Sequence, residues 1–379
     1  MTGLALASLI LALLPLALGL ANLLALARPR ASAGQVDALS VLIPARGDAS
    51  AAARAISSVL ASRVVTLECL VHVPAGREET AAMVREIAAW DDRVRLVRGG
   101  VVPQGWRRRN HACHLLSERA RHALLVFMDP EVVLSPDALA ALAAFMARSP
   151  AGLVVGLPRV PTRSVCESLL APLVPFLLHG FVPAFGVRHG AFPLLGPVSG
   201  TGCCGVVVAR AEAYASAGGH AVIRGWRHEG FPLARAFRRA GFVADLLDLH
   251  SLATSRPFGS CAELRRGLSA PGAGTATGSP ALPVWTLLVG GGSVIPPALL
   301  AWCLLGGGDG PVAALAALGT AATLGTRALF AWRFEQDWRG VPLHPLAMAW
   351  LIAAQWRSFV AAARKPAAPW DRHTCGLGS

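Results

Sequence analysis

The chain has 379 residues, of which 54% are hydrophobic and only 15% charged, and its formal net charge is +13. An ordinary soluble domain carries about 25% charged residues, so the composition excludes a wholly soluble protein and admits a globular domain joined to membrane segments. The positive excess is almost all arginine, because Lys365 is the only lysine. No basic run interleaved with aromatics is present, so the charge suits an anionic membrane face or a phosphate-bearing substrate, and nucleic acid is not expected as a partner.

Residues 4–27 form a nearly unbroken apolar run without a charge, long enough to span a bilayer. A cleaved signal peptide is the rival reading; the run is long for one, and no basic residue precedes it. Residues 1–30 are therefore expected to be a transmembrane anchor. Arg28 and Arg30 follow at once, and the positive-inside tendency then places the next domain on the cytoplasmic side of the inner membrane.

Over residues 36–250 the pattern changes to alternating strands and helices. Apolar runs at 39–43, 67–73, 94–97, 123–128, 203–209 and 242–247 read as strands. Residues 50–61, 78–89, 110–121 and 232–240 read as helices. A further helix is expected after Ser135-Pro136-Asp137, with Ser135 as its N-cap. Such alternation predicts an α/β fold with a mostly parallel sheet covered on both faces.

Residues 166–197 are apolar but broken by Pro172, Pro175, Pro183 and Pro193, and they include His179, Arg188 and His189. Helices lying in the membrane interface fit that pattern better than a span. Residues 251–281 read as an amphipathic interfacial segment ending in a Gly/Ala/Ser/Thr loop at 270–279. Residues 282–363 read as C-terminal transmembrane helices, with candidate spans at 282–305 and 311–332. A third stretch, 343–363, contains Gln355 and Arg357 and is either a poor span or an interfacial helix. Residues 364–379 form a tail, and the whole predicts a multi-pass membrane protein. The eight cysteines include the adjacent pair Cys203 and Cys204 but show no zinc spacing, and are expected to be small reduced core residues.

Three clusters carry possible chemistry. Asp129-Pro130-Glu131 follows the strand ALLVFM directly, and two carboxylates at the C-terminal end of a strand can hold Mg²⁺ or Mn²⁺ against a diphosphate. GWRRRNHAC, residues 105–113, sets three arginines before a helix, where they can meet phosphates. Gly218-Gly219-His220 is followed by His228-Glu229, and a carboxylate in such a loop can deprotonate a hydroxyl. Taken singly, a solvated turn accounts for each.

Their order along the chain is more specific. LSVLIPARGD, GWRRRNHAC, LLVFMDPEVVLSPDALAAL, GTGCCGVVVARAEAYASAGGH and GFPLARAFRRAGFVADLLD together resemble the membrane-bound family 2 glycosyltransferases of GT-A fold. The branch they resemble most includes hopanoid-associated and ceramide-type glucosyltransferases, as do HPL at 344–346 and PWDR at 369–372. The resemblance implies a mostly parallel GT-A sheet domain that moves a sugar from a nucleotide-diphosphate donor to a lipid, with inversion and with metal assistance. It implies that Asp129 and Glu131 hold Mn²⁺ or Mg²⁺, that Asp48 and Arg109 bind the donor, and that Glu229 is the catalytic base.

Departures accompany it. The family's second strand ends in V-D-D where this chain has Val73 and Pro74, with Glu78 a few residues on. The second carboxylate of the family's late pair is Gly230, and the acceptor tryptophan motif is absent near Arg265 and Arg266. A catalytically inactive relative acting as a binding or scaffold partner in the membrane therefore stands as the alternative.

Overall fold

The computed structural model describes residues 1–30, 38–63, 66–183, 205–226, 229–269 and 281–363. Val36, Arg188, His189, Pro193, Cys203, Cys204, His228, the 270–279 loop and the PWDR tail lie outside them.

A single eight-stranded sheet organises the domain, in the order β3-β2-β1-β4-β7-β6-β8-β5. β1 (Leu39–Pro44), β2 (Leu67–Val73), β3 (Val94–Arg98) and β4 (Leu124–Met128) are mutually parallel, each pairing with its neighbour in the order. β1 and β2 are buried at every position, as expected for strands covered on both faces. β7 (Val206–Arg210) runs antiparallel between β4 and β6 (Ala151–Arg159). β8 (Val243–Ser255) runs parallel to β6, and β5 (Val132–Leu134) closes the edge antiparallel to it. Four of these pairings are parallel and three antiparallel, so the sheet is mixed and mostly parallel.

Helices α2 (Ala49–Leu60), α3 (Glu78–Trp90) and α5 (Ala138–Arg148) cover one face, with Ile56, Val84 and Leu142 in the core beneath them. The opposite face takes α4 (Arg108–Ser117), α6 (Val165–Leu170), α7 (Leu173–Phe181) and the Gly230–Arg239 helix. The α5 cap departs from expectation. Asp137 occupies the N-cap position without a side-chain bond, and Ser135 is spent in the preceding turn, its carbonyl accepting from the Ala138 N–H at 3.0 Å.

Helix α1 (Thr2–Ala25) and the Gly310–Arg333 helix are long and apolar enough to cross a membrane. The segments Leu282–Ser293 and Ile295–Leu304, bent by 42°, together pass the same test. The third C-terminal stretch forms one helix, His344–Ala363. Helix α1 buries small residues (Ala5, Ser8, Ala12, Pro15 and Gly19) and exposes Leu4, Leu6, Ile10, Leu13 and Leu20. Small residues inward and leucines outward is the packing expected of a helix with lipid on its outer side. At Gly19 a Cβ would lie 2.7 Å from the Phe330 ring of the Gly310–Arg333 helix, so close approach requires the glycine there.

Helix α7 packs inside the protein. Every residue from Phe176 to Phe181 is buried, and Asn22 of α1 donates to the carbonyls of His179 and Val182 at 2.6 and 2.7 Å. The prolines shorten the apolar stretch into helices that fit inside the protein. Cys166 and Cys261 are joined as a disulfide across 6.1 Å between Cα atoms, which corrects the expectation of unbridged cysteines. Cys69 and Cys113 are free and buried.

The long apolar helices are tied to the sheet through Asp248. Its carboxylate accepts from Arg333 at 2.6 Å, from Arg28 at 3.0 Å and from His250 Nδ1 at 2.9 Å. Its backbone N–H donates to the Ala27 carbonyl at 2.9 Å, beside a parallel bridge between Ala27 and Leu247. Burial works to raise the carboxyl, but the bonds from His250 and Arg333 overcome it and hold it well below its ordinary value.

Asp248→Ala should therefore destabilise the protein by about 3 kcal/mol, because it strands Arg333, whose side chain is largely withdrawn from water. Arg28→Ala, which removes a half-exposed partner, should cost no more than about 1 kcal/mol. Thermal unfolding in detergent reads both; equal losses would show that Asp248 is not the tie.

Candidate active site

The parallel strands end on one edge of the sheet, where ligands of α/β folds bind. Asp129 follows β4 on that edge. Its N–H donates to the Gly205 carbonyl, just before antiparallel β7, at 2.9 Å, and its carbonyl accepts from Val132 of β5 at 3.0 Å. The Asp129-Pro130-Glu131 turn is thus pinned between β4 and β5. Arg46, in the loop after β1, reaches both carboxylates: Nη2 lies 3.4 Å from Asp129 Oδ1 and Nη1 3.7 Å from Glu131 Oε1. Two carboxylates reached by one guanidinium converge on one point. Burial lifts both carboxyls above their ordinary values, against the pull of Arg109 and Arg46 on Asp129 and of Arg46 on Glu131.

Of the three arginines in GWRRRNHAC only Arg109 turns inward; Arg107 and Arg108 are exposed. Asn110 explains the aim of α4. It is 2% exposed, and its amide donates to the carbonyls of Ile223 and Trp226 at 2.7 and 2.9 Å. The Arg107 N–H adds a bond of 2.7 Å to the Arg224 carbonyl. These bonds stitch the start of α4 to the segment that leads to Glu229. Arg109 then bridges Asp129, 2.7 Å from Nη2, and Glu229, which it contacts through Nη1.

Glu229 stands at the N-cap of the Gly230–Arg239 helix and is 5% exposed. The helix terminus favours a negative charge there. Burial pushes the carboxyl up, but Arg109 and His220 prevail and bring it down to about 2. Both partners bind Oε2, and Oε1 is buried with no hydrogen-bond partner among the described residues. His220 Nε2 lies 3.1 Å from Oε2, and its Nδ1 lies 2.7 Å from the Tyr214 hydroxyl.

The structure therefore brings Asp129, Glu131, Arg109 and Glu229 into one network. It does not bring Asp48 into hydrogen-bond contact with them. Asp48 caps α2, accepting from the Ala51 N–H at 3.0 Å and Ser50 Oγ at 2.9 Å, bonds that lower its pKa. The same loop passes close to Arg77: Gly47 has φ +106°, and a Cβ there would lie 2.8 Å from Arg77 Cδ. Glu78, the nearest acid to the missing V-D-D carboxylates, is exposed and paired with Arg98 and Arg85. Arg46 and Tyr214 escaped the sequence reading. Arg46 lay inside the quoted LSVLIPARGD, but nothing in the spacing shows where a side chain from the β1 loop points.

Removing Arg109 leaves two buried carboxylates facing each other, and Arg109→Ala should cost about 3–5 kcal/mol. Without the guanidinium, burial and mutual repulsion raise both folded-state pKa values above the unfolded ones. Groups raised in this way destabilise increasingly as pH rises through that range. The variant should thus lie nearer wild type in thermal unfolding at pH 5 than at pH 8, and an equal deficit at both would rule out a charge-balancing role.

Comparison with known proteins agrees with this architecture. No curated protein matches the chain in sequence. Among solved structures, the chain is similar to a mannosyltransferase of Pyrobaculum calidifontis in complex with GDP-Man and Mn²⁺. The TM-score is 0.55 at 16% identity, over 96% of this chain and 100% of that one. A looser likeness is to glucosyl-3-phosphoglycerate synthase of Mycobacterium tuberculosis in complex with Mn²⁺ and UDP. There the TM-score is 0.39 at 19% identity, over 60% of this chain and 75% of that one. The model described as "Glycosyltransferase like family 2" matches residues 37–245, more than half of the chain. With its mixed α/β sheet of GT-A type, the chain belongs to the family 2 glycosyltransferases.

Proposed function

We propose that this family 2 glycosyltransferase moves a sugar from a nucleotide-diphosphate donor to a lipid hydroxyl at the cytoplasmic face of the inner membrane, with inversion at the anomeric carbon. The observation that carries the proposal is the convergence of Asp129, Glu131, Arg109 and Glu229 at the C-terminal edge of the parallel strands. The mannosyltransferase with GDP-Man and Mn²⁺, which shares the fold, supports a nucleotide-sugar donor.

The residues present fit a divalent cation. Asp129 and Glu131 offer hard oxygen donors that converge where Arg46 now sits, and Mg²⁺ and Mn²⁺ prefer such oxygens. A cation held there by Asp129 and Glu131 would neutralise charge on the leaving diphosphate. Arg109 lies beside the same point and would turn from Glu229 toward the diphosphate, which raises the basicity of Glu229 when the donor is in place. Asp48 would face the nucleotide from the β1 loop.

Transfer then needs one displacement. Glu229 Oε1 takes the proton of the acceptor hydroxyl as that oxygen forms its bond to the anomeric carbon. On the opposite side the bond from that carbon to the diphosphate oxygen breaks, and its electron pair leaves with the diphosphate. A single displacement inverts the centre.

A lipid acceptor is supported by the apolar helices beside the domain.

Titration of UDP-glucose and GDP-mannose into detergent-solubilised protein should show binding that needs Mn²⁺ and is lost in Asp129→Ala. Glu229→Gln should keep that binding and lower the rate of transfer by about 10²–10⁴-fold. Failure of every donor to bind, with or without metal, would favour an inactive membrane scaffold.

A further inference from the structure

The paired glycines Gly218 and Gly219 adopt left-handed φ of +76° and +51°. A Cβ on Gly219 would sit 2.4 Å from the Tyr214 ring, so the turn closes only around glycine. Its effect is to fold His220 back onto Tyr214. Both side chains are buried, and both pack on Phe127, whose ring centroid lies 4.8 Å from His220 and 5.3 Å from Tyr214. Phe127 is two residues before Asp129 on β4, so this packing shares a strand with the carboxylate turn.

The hydrogen bonds decide the tautomer. The Tyr214 oxygen accepts from the His220 backbone N–H at 3.0 Å, while the Ser117 hydroxyl, 3.4 Å away, gives its proton to the His114 carbonyl at 2.7 Å. A hydroxyl accepts two hydrogen bonds and donates one. The ionised Glu229 Oε2, 3.1 Å from His220 Nε2, can only accept, so Nε2 carries the proton and Nδ1 is left to accept from the Tyr214 hydroxyl, 2.7 Å away. With Nδ1 accepting, a neutral ring carries its proton on Nε2 and donates it to Glu229 Oε2 at 3.1 Å. Burial keeps the imidazole neutral by lowering its pKa. The other titratable groups facing this pair are Arg109, Cys113 and His114 from α4 and Asp129 after β4.

We infer that Tyr214 and His220 are positioning residues for transfer: Tyr214 fixes the His220 tautomer, and His220 holds Glu229 by Oε2 so that Oε1 alone meets the acceptor hydroxyl. The inference rests on the reading of Glu229 as the base. The turn that holds a neutral His220 in place is then part of the catalytic assembly rather than ordinary core.

Two readouts test it. Protein labelled with [¹⁵N]histidine in detergent reports the ring nitrogens directly, the His220 signals being identified by their loss in His220→Leu. The expected tautomer has its proton on Nε2 and becomes a mixture in Tyr214→Phe, which keeps the ring and deletes only the hydroxyl. Transfer of radiolabelled sugar from GDP-mannose and UDP-glucose into polar-lipid vesicles is the second readout. Tyr214→Phe should lower kcat about 10-fold and His220→Leu about 100-fold, with donor KM unchanged. His220→Gln, which retains an N–H donor near Nε2, should recover most of the loss. A bare Nε2, or a tautomer indifferent to Tyr214→Phe, overturns the inference even before an acceptor is found. Full transfer by His220→Leu overturns it while leaving Glu229 as base if Glu229→Gln is inactive. Undiminished transfer by Glu229→Gln overturns the reading beneath it.

Discussion

The cleft depends on one guanidinium shared between two carboxylates. Asp129 and Glu229 come from segments 100 residues apart, and both are largely withdrawn from water. A buried charge without a partner is expensive enough to reshape a fold around it. The surrounding backbone meets that demand. Asn110 and the Arg107 N–H lock α4 to residues 223–226, and the Gly205 carbonyl fixes Asp129 from the side of β7. Each constraint is a hydrogen bond to a backbone carbonyl, and together they decide where Arg109 points.

The same economy governs Glu229. One oxygen is taken up by Arg109 and His220, and the other has no partner among the described residues. A carboxylate held by one oxygen cannot rotate away from its neighbour without breaking two bonds. Its surroundings are an imidazole, a phenol and two left-handed glycines.

Much of the sheet was legible in the sequence because β1, β2, β3 and β4 are short apolar runs bounded by turns, the pattern that parallel buried strands produce. β6 was not, since Gly152, Gly156 and Pro158 break its apolar run. The structure shows why Gly156 is there: a Cβ would lie 2.2 Å from Leu249 of β8. β5 has three residues, too few for any periodicity, and β8 continues past Leu247 to Ser255 through polar residues. At the site, order along the chain singled out Asp129, Glu131, Arg109 and Glu229, and the structure gathers all four. Arg46 and Tyr214 were invisible because their importance lies in whom they touch across the sheet, which no local spacing encodes. Asp48 was visible for a local reason as well, since it caps α2.

Asp248 has a mechanical consequence. Residues 27 and 28 are already bonded to the edge of β8, and Arg333 reaches the same carboxylate from the end of an apolar helix. For α1 to swing against the sheet, it would have to give up the Ala27 backbone bond and the Arg28 ion pair at once. The joint holds the candidate cleft at a set distance from the ends of the apolar helices. If the acceptor is the lipid proposed above, the distance between its reactive group and its tails becomes a criterion for selection, as a fixed gauge admits only parts of one length.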